Sequence, residues 1–323
     1  MSEFAIPASA SDDLDWFRRG ICYQIFPDRF ARVDDGQNWK LDAWGAEPTR
    51  TNYMGGNLRG ITARISQLAE LGVSSIYTTP IFDAPANHRY DTADYLHLAP
   101  MVGSEADLRE LTDTAAAAGI GLVLDGVFNH VGETFPPFVA AKAGAPSARS
   151  MFHFHPQTDD YQTVGGAQFM PKLNHQDSRI VELVESTLRK WDSFGVRGWR
   201  LDVPWKAPAS FWQIVRQRVS DLSSSELWIA EAWAQWAFAG DFESVMNYHS
   251  RNRLVDLVHL HHADAEDFFC DLAQWTSTRR DPSLILNAVG SHDTARILNI
   301  CGGNRANALM VLALNALIPG VPM

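Results

Sequence analysis

Short apolar runs with the composition of β-strands alternate with longer segments of helical period from about residue 20 onward. Apolar residues spaced three to four apart predict amphipathic helices, and short runs between turn residues predict strands. Repeated strand–helix units are typical of a parallel sheet covered by helices. Strands are predicted at residues 20–26, 73–79, 121–126, 198–203, 227–231, 245–248 and 284–290. Helices are predicted at residues 58–71, 105–118, 179–194, 210–222, 264–275 and 305–317.

One connection, residues 131–177 after the third strand, is too long for a simple loop. It carries the Phe/His cluster of residues 151–155 and the pair Gly165-Gly166. A stretch of this length without a clear period predicts a small inserted subdomain. The chain then divides into a first barrel part at 1–130, the insertion at 131–177 and a second barrel part at 178–323.

The predicted architecture is a (β/α)8 TIM-type barrel, which closes with eight strands. Seven strands are predicted, and Val321, Pro322 and Met323 look like the first residues of an eighth. We therefore expect the eighth strand and a C-terminal β-domain to be missing from this chain. On that expectation, strands one and seven present edges without a full partner, and the chain is marginally stable.

The composition limits the classes of binding partner and the cellular compartments that fit this chain. A formal net charge of −11 disfavours nucleic acid and anionic membrane surfaces. The N-terminus lacks the basic and apolar regions of a signal peptide, and no apolar run reaches the length of a membrane span. The three cysteines lack metal-ligand spacing, which favours free thiols in the cytoplasm. The sequence leaves the oligomeric state open.

Polar and ionisable residues cluster where the predicted strands end. Each alone is weak evidence, because such residues often cap helices. In α/β barrels, however, the active site is built from the carboxyl ends of several strands. The cluster consists of His88, Tyr90 and Asp91 after strand two, Asp125, Asn129 and His130 around strand three, Arg200 and Asp202 in strand four, Glu231 in strand five, and His292 and Asp293 after strand seven.

Three of these residues, Asp202, Glu231 and Asp293, are carboxylates without an obvious set of metal ligands. Two carboxylates about 5–5.5 Å apart suffice for glycoside hydrolysis with retention. Arg200 lies two residues before Asp202, so both side chains share one face, and the guanidinium would keep Asp202 ionised. Glu231 must instead be protonated, and we expect a less polar setting beside Trp233 to raise its pKa.

With these residues in place, the sequence resembles the α-amylase family, family 13 of the glycoside hydrolases, over nearly the whole chain from Tyr23. The motifs YQIFPDRF, MPKLN and GSHDTARI most resemble the group of cyclomaltodextrinases, neopullulanases, maltogenic amylases and maltodextrin glucosidases. The other matching motifs are GGNLRGI, NHRYDTADY, DGVFNH, GWRLDV, WIAEAW and SVMNY.

The resemblance implies roles for the charged residues of the cluster. Asp202 would be the nucleophile and Glu231 the general acid/base. Asp293 would bind hydroxyls of the sugar ring at the cleavage point. Arg200 would orient Asp202, and Asp125 would support Arg200.

The resemblance also implies binding roles. His130 and His292 would hydrogen-bond the same ring, and Tyr90 would stack on it. Asn129 falls where calcium-binding family members place a ligand, but many members of this group work without calcium, so no cofactor and no metal is predicted.

The chain departs from the family after Asp202, where Trp205 and Lys206 replace the common Asn-Glu pair. These two residues should line the leaving-group side. The chain also begins near the barrel, without the N-terminal β-domain of many cyclomaltodextrinases. Trp233, Trp236 and Phe238 fit either sugar platforms or flanking core.

Four hypotheses about function follow. The first is hydrolysis of α-1,4 bonds in maltooligosaccharides, cyclodextrins or related α-glucans. The second is transglycosylation through the same covalent intermediate, in which a sugar replaces water as the acceptor. The third is a non-catalytic domain that binds glucan or a partner protein. The fourth is an incomplete and inactive copy of an enzyme.

Overall fold

Parallel strands form the centre of the molecule, and the computed structural model describes them within residues 14–49, 51–233, 242–277, 279 and 281–323. Strands one to six form one sheet in the order of the chain. A parallel bridge between Met246 and Leu286 adds strand seven, and strand eight pairs in parallel with strand seven. The eight strands are Ile21–Ile25, Val73–Thr78, Gly121–Gly126, Gly198–Leu201, Trp228–Ala230, Ser244–Val245, Leu286–Asn287 and Val321–Pro322.

This arrangement is the (β/α)8 TIM-type fold that the sequence predicts. Val321–Pro322 also lies beside Ile21–Ile25, so the residues assigned to the start of strand eight stand between strands seven and one. Strand seven is therefore paired over Leu286–Asn287, where an open edge was expected, because Val321 N–H donates to the Ile285 carbonyl and Met323 N–H to that of Asn287.

Helices alternate with the strands. The predicted helices are present, and Ser104 caps the helix Glu105–Ala117 by accepting a hydrogen bond from Asp107 N–H. Helix Tyr248–Val255 was not predicted, because its sequence is largely polar; it continues into a π-helical turn at Asp256–Leu260. Among the described residues, no helix is long and apolar enough to cross a membrane. The other helices are Asp15–Arg18, Pro27–Phe30, Leu58–Thr62, Ile65–Glu70, Pro136–Lys142, Pro146–Arg149, Ser178–Asp192, Ala209–Arg218, Ala265–Ser277, Ile297–Ile300 and Arg305–Leu317, with 3-10 turns at Pro204–Lys206, Ser223–Ser225 and Pro282–Leu284.

The barrel interior is filled by apolar side chains, among them Cys22, Val123 and Ile229. Trp16 packs against Gly121 at the amino end of strand three so closely that a Cβ at residue 121 would stand 2.2 Å from the indole ring. The floor of the barrel is therefore a packed core, and open space is left for the opposite, carboxyl-terminal face.

Two long connections form the walls of that face. After strand two, the antiparallel pair Phe82–Asp83 and Asp94–Leu98 holds the loop that carries Tyr90. Within residues 131–177, Thr163–Val164 pairs with Ala167–Pro171 around a two-glycine turn at positive φ. The aromatic rings of Phe138, Phe152, Phe154 and Tyr161 pack together in this segment.

Candidate active site

One guanidinium, that of Arg200, is the centre of the site. It is completely buried, and its Nη1 donates to Asp125 Oδ1 and to Asp202 Oδ1, both at 2.9 Å. Its Nη2 lies 2.9 Å from Glu231 Oε2. Asp125 is the register partner of Arg200 on the neighbouring strand, and Glu231 directly follows strand five. Neighbouring parallel strands thus place three predicted carboxylates, those of Asp125, Asp202 and Glu231, in contact with the Arg200 guanidinium.

Asp125 is held by further donors. The hydroxyls of Tyr77 and Tyr90 donate to its Oδ2 at 2.5 and 2.7 Å. His292 Nε2 lies 2.7 Å from the Tyr90 oxygen, and the Gln24 amide lies 2.8 Å from His292 Nδ1. A neutral His292 with its proton on Nε2 satisfies all these partners. Burial lowers the pKa of His292, which agrees with a neutral ring.

The surroundings of Glu231 differ from the expectation of a less polar setting beside Trp233. The Trp233 indole N–H donates to Glu231 Oε1 at 3.0 Å, and Val203 N–H donates to Oε2 at 3.1 Å. Burial favours the neutral carboxyl, but Arg200 and these two donors outweigh burial and lower the pKa of Glu231. The predicted upward shift is therefore wrong for the ligand-free protein.

Asp202 shows the opposite shift, which also corrects the expectation that Arg200 keeps it ionised. Its burial, together with the negative charges of Glu231 and Asp125, raises the pKa of Asp202 well above its usual range despite the contact with Arg200. The pKa shifts of the two carboxyls thus have opposite directions: burial dominates at Asp202, whereas Arg200 and the N–H donors dominate at Glu231.

Val203, the residue after Asp202, has a left-handed backbone with φ 36° and ψ 49°. A β-branched residue adopts this conformation at a cost of roughly 1–3 kcal/mol, and such strain clusters at functional sites. Here the conformation aims the Val203 N–H at Glu231 Oε2. The backbone after strand four is thus part of the site.

The remaining predicted residues lie at different distances from this centre. His130 is buried, and its Nδ1 is 3.9 Å from Asp202 Oδ2. Asp293 is more open, with a side chain 42% exposed and Oδ2 3.4 Å from His292 Nε2. Trp205 is 44% exposed, and the Lys206 ammonium lies 4.1 Å from its ring centre. Trp205 is therefore near the site by position along the chain, without a described contact to the carboxylates.

A cleft of about 900 Å³ opens beside these residues. Four members of the predicted cluster, His88, Tyr90, His292 and Asp293, line it, and Trp44 adds a half-exposed aromatic ring. Among the described residues, no group of three or more His, Cys, Asp or Glu side chains is arranged to hold a metal ion.

Sequence reasoning missed Gln24, Tyr77 and Tyr248. Gln24 is a polar residue in a largely apolar strand, and that signal was available, whereas Tyr77 lies in a strand that also holds Ser74, Ser75 and Thr78 and does not stand out there. Tyr248, whose ring stacks on Trp233 with centroids 3.9 Å apart, looks like an ordinary apolar residue in the sequence. Trp236 and Phe238 lie outside the described residues.

Two buried histidines make stability depend on pH. Burial lowers the pKa of His130 and of His175 to about 4, below the ordinary value of 6.5. The unfolded chain therefore binds more protons, and the free energy of unfolding should fall as pH drops from 6.5 toward 4. We expect a loss of about 2 kcal/mol per histidine between pH 7.5 and 5.

Urea unfolding at the two pH values measures this loss. His130→Gln and His175→Gln should each reduce the difference between pH 7.5 and 5, whereas His262→Gln, at an exposed position, should leave it unchanged. An undiminished difference in both buried-site variants would contradict the assignment.

A carboxylate cluster around an arginine at the carboxyl-terminal face of a (β/α)8 barrel is the kind of site that barrel glycosidases use. Comparison with known proteins gives the same class. The family model described as "Alpha amylase, catalytic domain" matches residues 24–160 and 145–323. The chain belongs to the α-amylase family.

Several individual proteins are similar to this chain. It is 33% identical to neopullulanase 2 of Thermoactinomyces vulgaris over 96% of this chain and 56% of the relative, and 32% identical to a cyclomaltodextrinase of a Bacillus species over 99% and 60%. The solved cyclic α-maltosyl-(1→6)-maltose hydrolase of Arthrobacter globiformis matches with a TM-score of 0.90 and 32% identity, over 96% of this chain and 73% of that one. The chain thus spans little more than half the length of the curated relatives it matches.

Proposed function

We propose that this chain carries the catalytic barrel of a retaining glycoside hydrolase that cleaves α-1,4 bonds of maltooligosaccharides, cyclodextrins or related α-glucans. The observation that carries the proposal is the contact of Asp202 and Glu231 with the same buried guanidinium. This contact makes them near neighbours, as a retaining pair about 5–5.5 Å apart requires. The names of the relatives, neopullulanase and cyclomaltodextrinase, support the substrate class.

In the proposed reaction, Asp202 attacks the anomeric carbon while Glu231 gives its proton to the departing glycosidic oxygen. The glycosyl ester on Asp202 then reacts with water, and Glu231 takes a proton from that water. Asp202 must be ionised and Glu231 protonated in the complex. The pKa shifts of the ligand-free site have the opposite directions, so substrate binding has to change the surroundings of both carboxyls.

The neighbouring residues have supporting roles in this proposal. His130 Nε2 is buried and has no partner among the described residues, so a sugar hydroxyl can satisfy it. His292 and Asp293 would bind the same ring, and Tyr90 would stack on it. Asp125 fixes Arg200, which in turn orients Asp202.

The domain organisation and the compartment belong to the same proposal. Residues 131–177 form an inserted subdomain, with an aromatic cluster of their own, between barrel parts at 1–130 and 178–323. We place the protein in the cytoplasm, which suits its free thiols and the name of a relative 31% identical to it, the intracellular maltogenic amylase of Bacillus subtilis.

Product analysis on maltotriose, β-cyclodextrin, pullulan and starch tests the proposed function. Hydrolysis should release glucose or short maltooligosaccharides from at least one of these substrates. Longer oligosaccharides formed from maltotriose would indicate the second function, transfer to a sugar acceptor, which the half-exposed Trp205 beside the site favours. Binding without turnover of any substrate would support the non-catalytic alternative.

Tyr90 and Trp205 should have separable effects on these products. Tyr90→Ala should lower kcat/KM by on the order of 100-fold on every substrate, because it removes both the ring platform and a donor to Asp125. Trp205→Ala should change the ratio of transfer to hydrolysis by roughly threefold to tenfold, through lost acceptor contact. Identical effects of both changes on all four substrates would contradict this division.

A further inference from the structure

Trp233 contacts one particular oxygen of Glu231. Oε2 accepts the main-chain N–H of Val203 and lies 2.9 Å from Nη2 of the fully buried Arg200, an ion-pair contact, and both groups are fixed in place. Oε1 accepts the indole N–H of Trp233, whose side chain is 49% exposed. Among the described residues, the donor to Glu231 with room to move is therefore the one on Oε1.

A ring stack on the buried Tyr248 supports Trp233 in that position. Its ring lies parallel to that of Tyr248, with an interplanar angle of 5° and centroids 3.9 Å apart. Tyr248 is buried, and its hydroxyl donates to Ser291 Oγ at 3.0 Å. The Asp293 N–H donates to the same Ser291 oxygen at 3.2 Å. The indole is thus linked to the segment that carries His292 and Asp293.

A protonated carboxyl bears its hydrogen on one oxygen, and that oxygen then donates. Oε2 of Glu231 accepts the fixed Val203 N–H and faces the Arg200 cation, both of which disfavour a proton there, so Oε1 is the better site for the proton. The Trp233 N–H points at Oε1 and opposes a proton there. The Trp233 hydrogen bond therefore stabilises the ionised form of Glu231, and the acid form is favoured once the indole N–H has left Oε1.

We propose that Trp233 is a positioning residue that keeps Glu231 ionised in the free protein, and that a bound α-glucan displaces the indole N–H so that Oε1 takes up the catalytic proton. Oε1 takes this proton from solvent, and Asp202 acts as the ionised nucleophile. The inference rests on the proposed role of Glu231 as the acid. It adds a step in which substrate binding converts Glu231 to the protonated form that the reaction requires.

Other charged and titratable groups also lie around Glu231. An experiment must separate their effects on the pKa of Glu231 from the effect of the Trp233 indole. Asp202 is a neighbouring carboxyl whose titration overlaps with that of Glu231, so its removal as a titrating group isolates Glu231. The charged and titratable groups around Glu231 are Arg200, Asp202, His130, Tyr248, His292 and Asp293.

The test is a carbon-13 NMR titration of protein labelled at the glutamate side-chain carboxyl, carried out in the Asp202→Asn background. This background should turn over substrate at least about 1,000-fold more slowly than the parent protein, and an added Glu231→Gln change assigns the signal. Adding Trp233→Phe keeps the stack on Tyr248 and removes the N–H. The pKa of Glu231 should then rise by roughly one pH unit, the value of a hydrogen bond to a charged group. The matched control Trp205→Phe, at another half-exposed indole, should leave it unchanged.

Saturation with maltotriose should raise the pKa of Glu231 by a similar amount when Trp233 is present, and by much less in Trp233→Phe. An unchanged pKa in Trp233→Phe, or an unchanged pKa on maltotriose binding to the parent background, would overturn the proposal. Because no turnover is measured, a failure here is distinct from a failure of the proposed function, which the product analysis on unmodified protein decides.

Discussion

Asp202→Asn and Glu231→Gln should each lower kcat on maltooligosaccharides by at least about 1,000-fold, with little change in the fold. Each change removes one member of the pair that contacts Arg200, and positioned acid–base groups alone contribute about 100- to 10,000-fold. The neutral amides keep the shape of the side chains, so near-ultraviolet circular dichroism should stay the same. Steady-state kinetics on maltotriose measures the loss.

Azide distinguishes the two roles. In Asp202→Gly, azide replaces the missing nucleophile, attacks from the same side and should yield the inverted β-glycosyl azide. In Glu231→Gly, the ester on Asp202 still forms with an activated substrate, and azide should release the retained α-glycosyl azide. Normal turnover in Asp202→Asn would contradict the account, and exchanged azide products would reverse the assignment.

Arg200→Met should be the most destabilising single substitution at the site. It leaves the buried side chains of Asp125, Asp202 and Glu231 without their shared cation, and breaking a buried ion pair from one side costs about 3–5 kcal/mol. Urea unfolding at pH 7 measures this loss. Stability should partly recover at lower pH, where the carboxylates become protonated.

Two control substitutions, Arg200→Lys and Arg218→Met, separate the effect of the buried cluster on stability from the effect of losing an arginine elsewhere. Arg200→Lys keeps the charge but not the two-pronged geometry, so it should recover part of the stability and little of the activity. Arg218→Met breaks an exposed pair with Glu185 and should change stability by about 1 kcal/mol or less. Equal effects of Arg200→Met and Arg218→Met on the free energy of unfolding would show that the buried cluster contributes no more to stability than an exposed ion pair.

The sequence predicts the barrel and the residues at its rim, because both depend on simple periodicity. Buried parallel strands are short apolar runs, and the ends of parallel strands meet at one face. That rule alone brings Asp125, Arg200, Asp202 and Glu231 together. The seven predicted strands follow from the same pattern, and so does the expected start of an eighth, whose residues Val321–Pro322 pair with strand seven.

The protonation of the site could not be predicted in the same way. It depends on the direction of the Trp233 indole, which donates a hydrogen bond where an apolar surface was expected. It also depends on the left-handed backbone of Val203, a residue type that disfavours that conformation. Tertiary contacts decide both features, and neither leaves a periodic signal in the sequence.

The most direct measurement for the central claim is the configuration of the first product. Proton NMR of maltotriose hydrolysis, recorded within minutes at high protein concentration and before mutarotation, shows which anomer appears first. Double displacement through Asp202 predicts that the α-anomer of the newly formed reducing end accumulates first and then equilibrates. Initial accumulation of the β-anomer would mean a single displacement by water, and it would contradict the account.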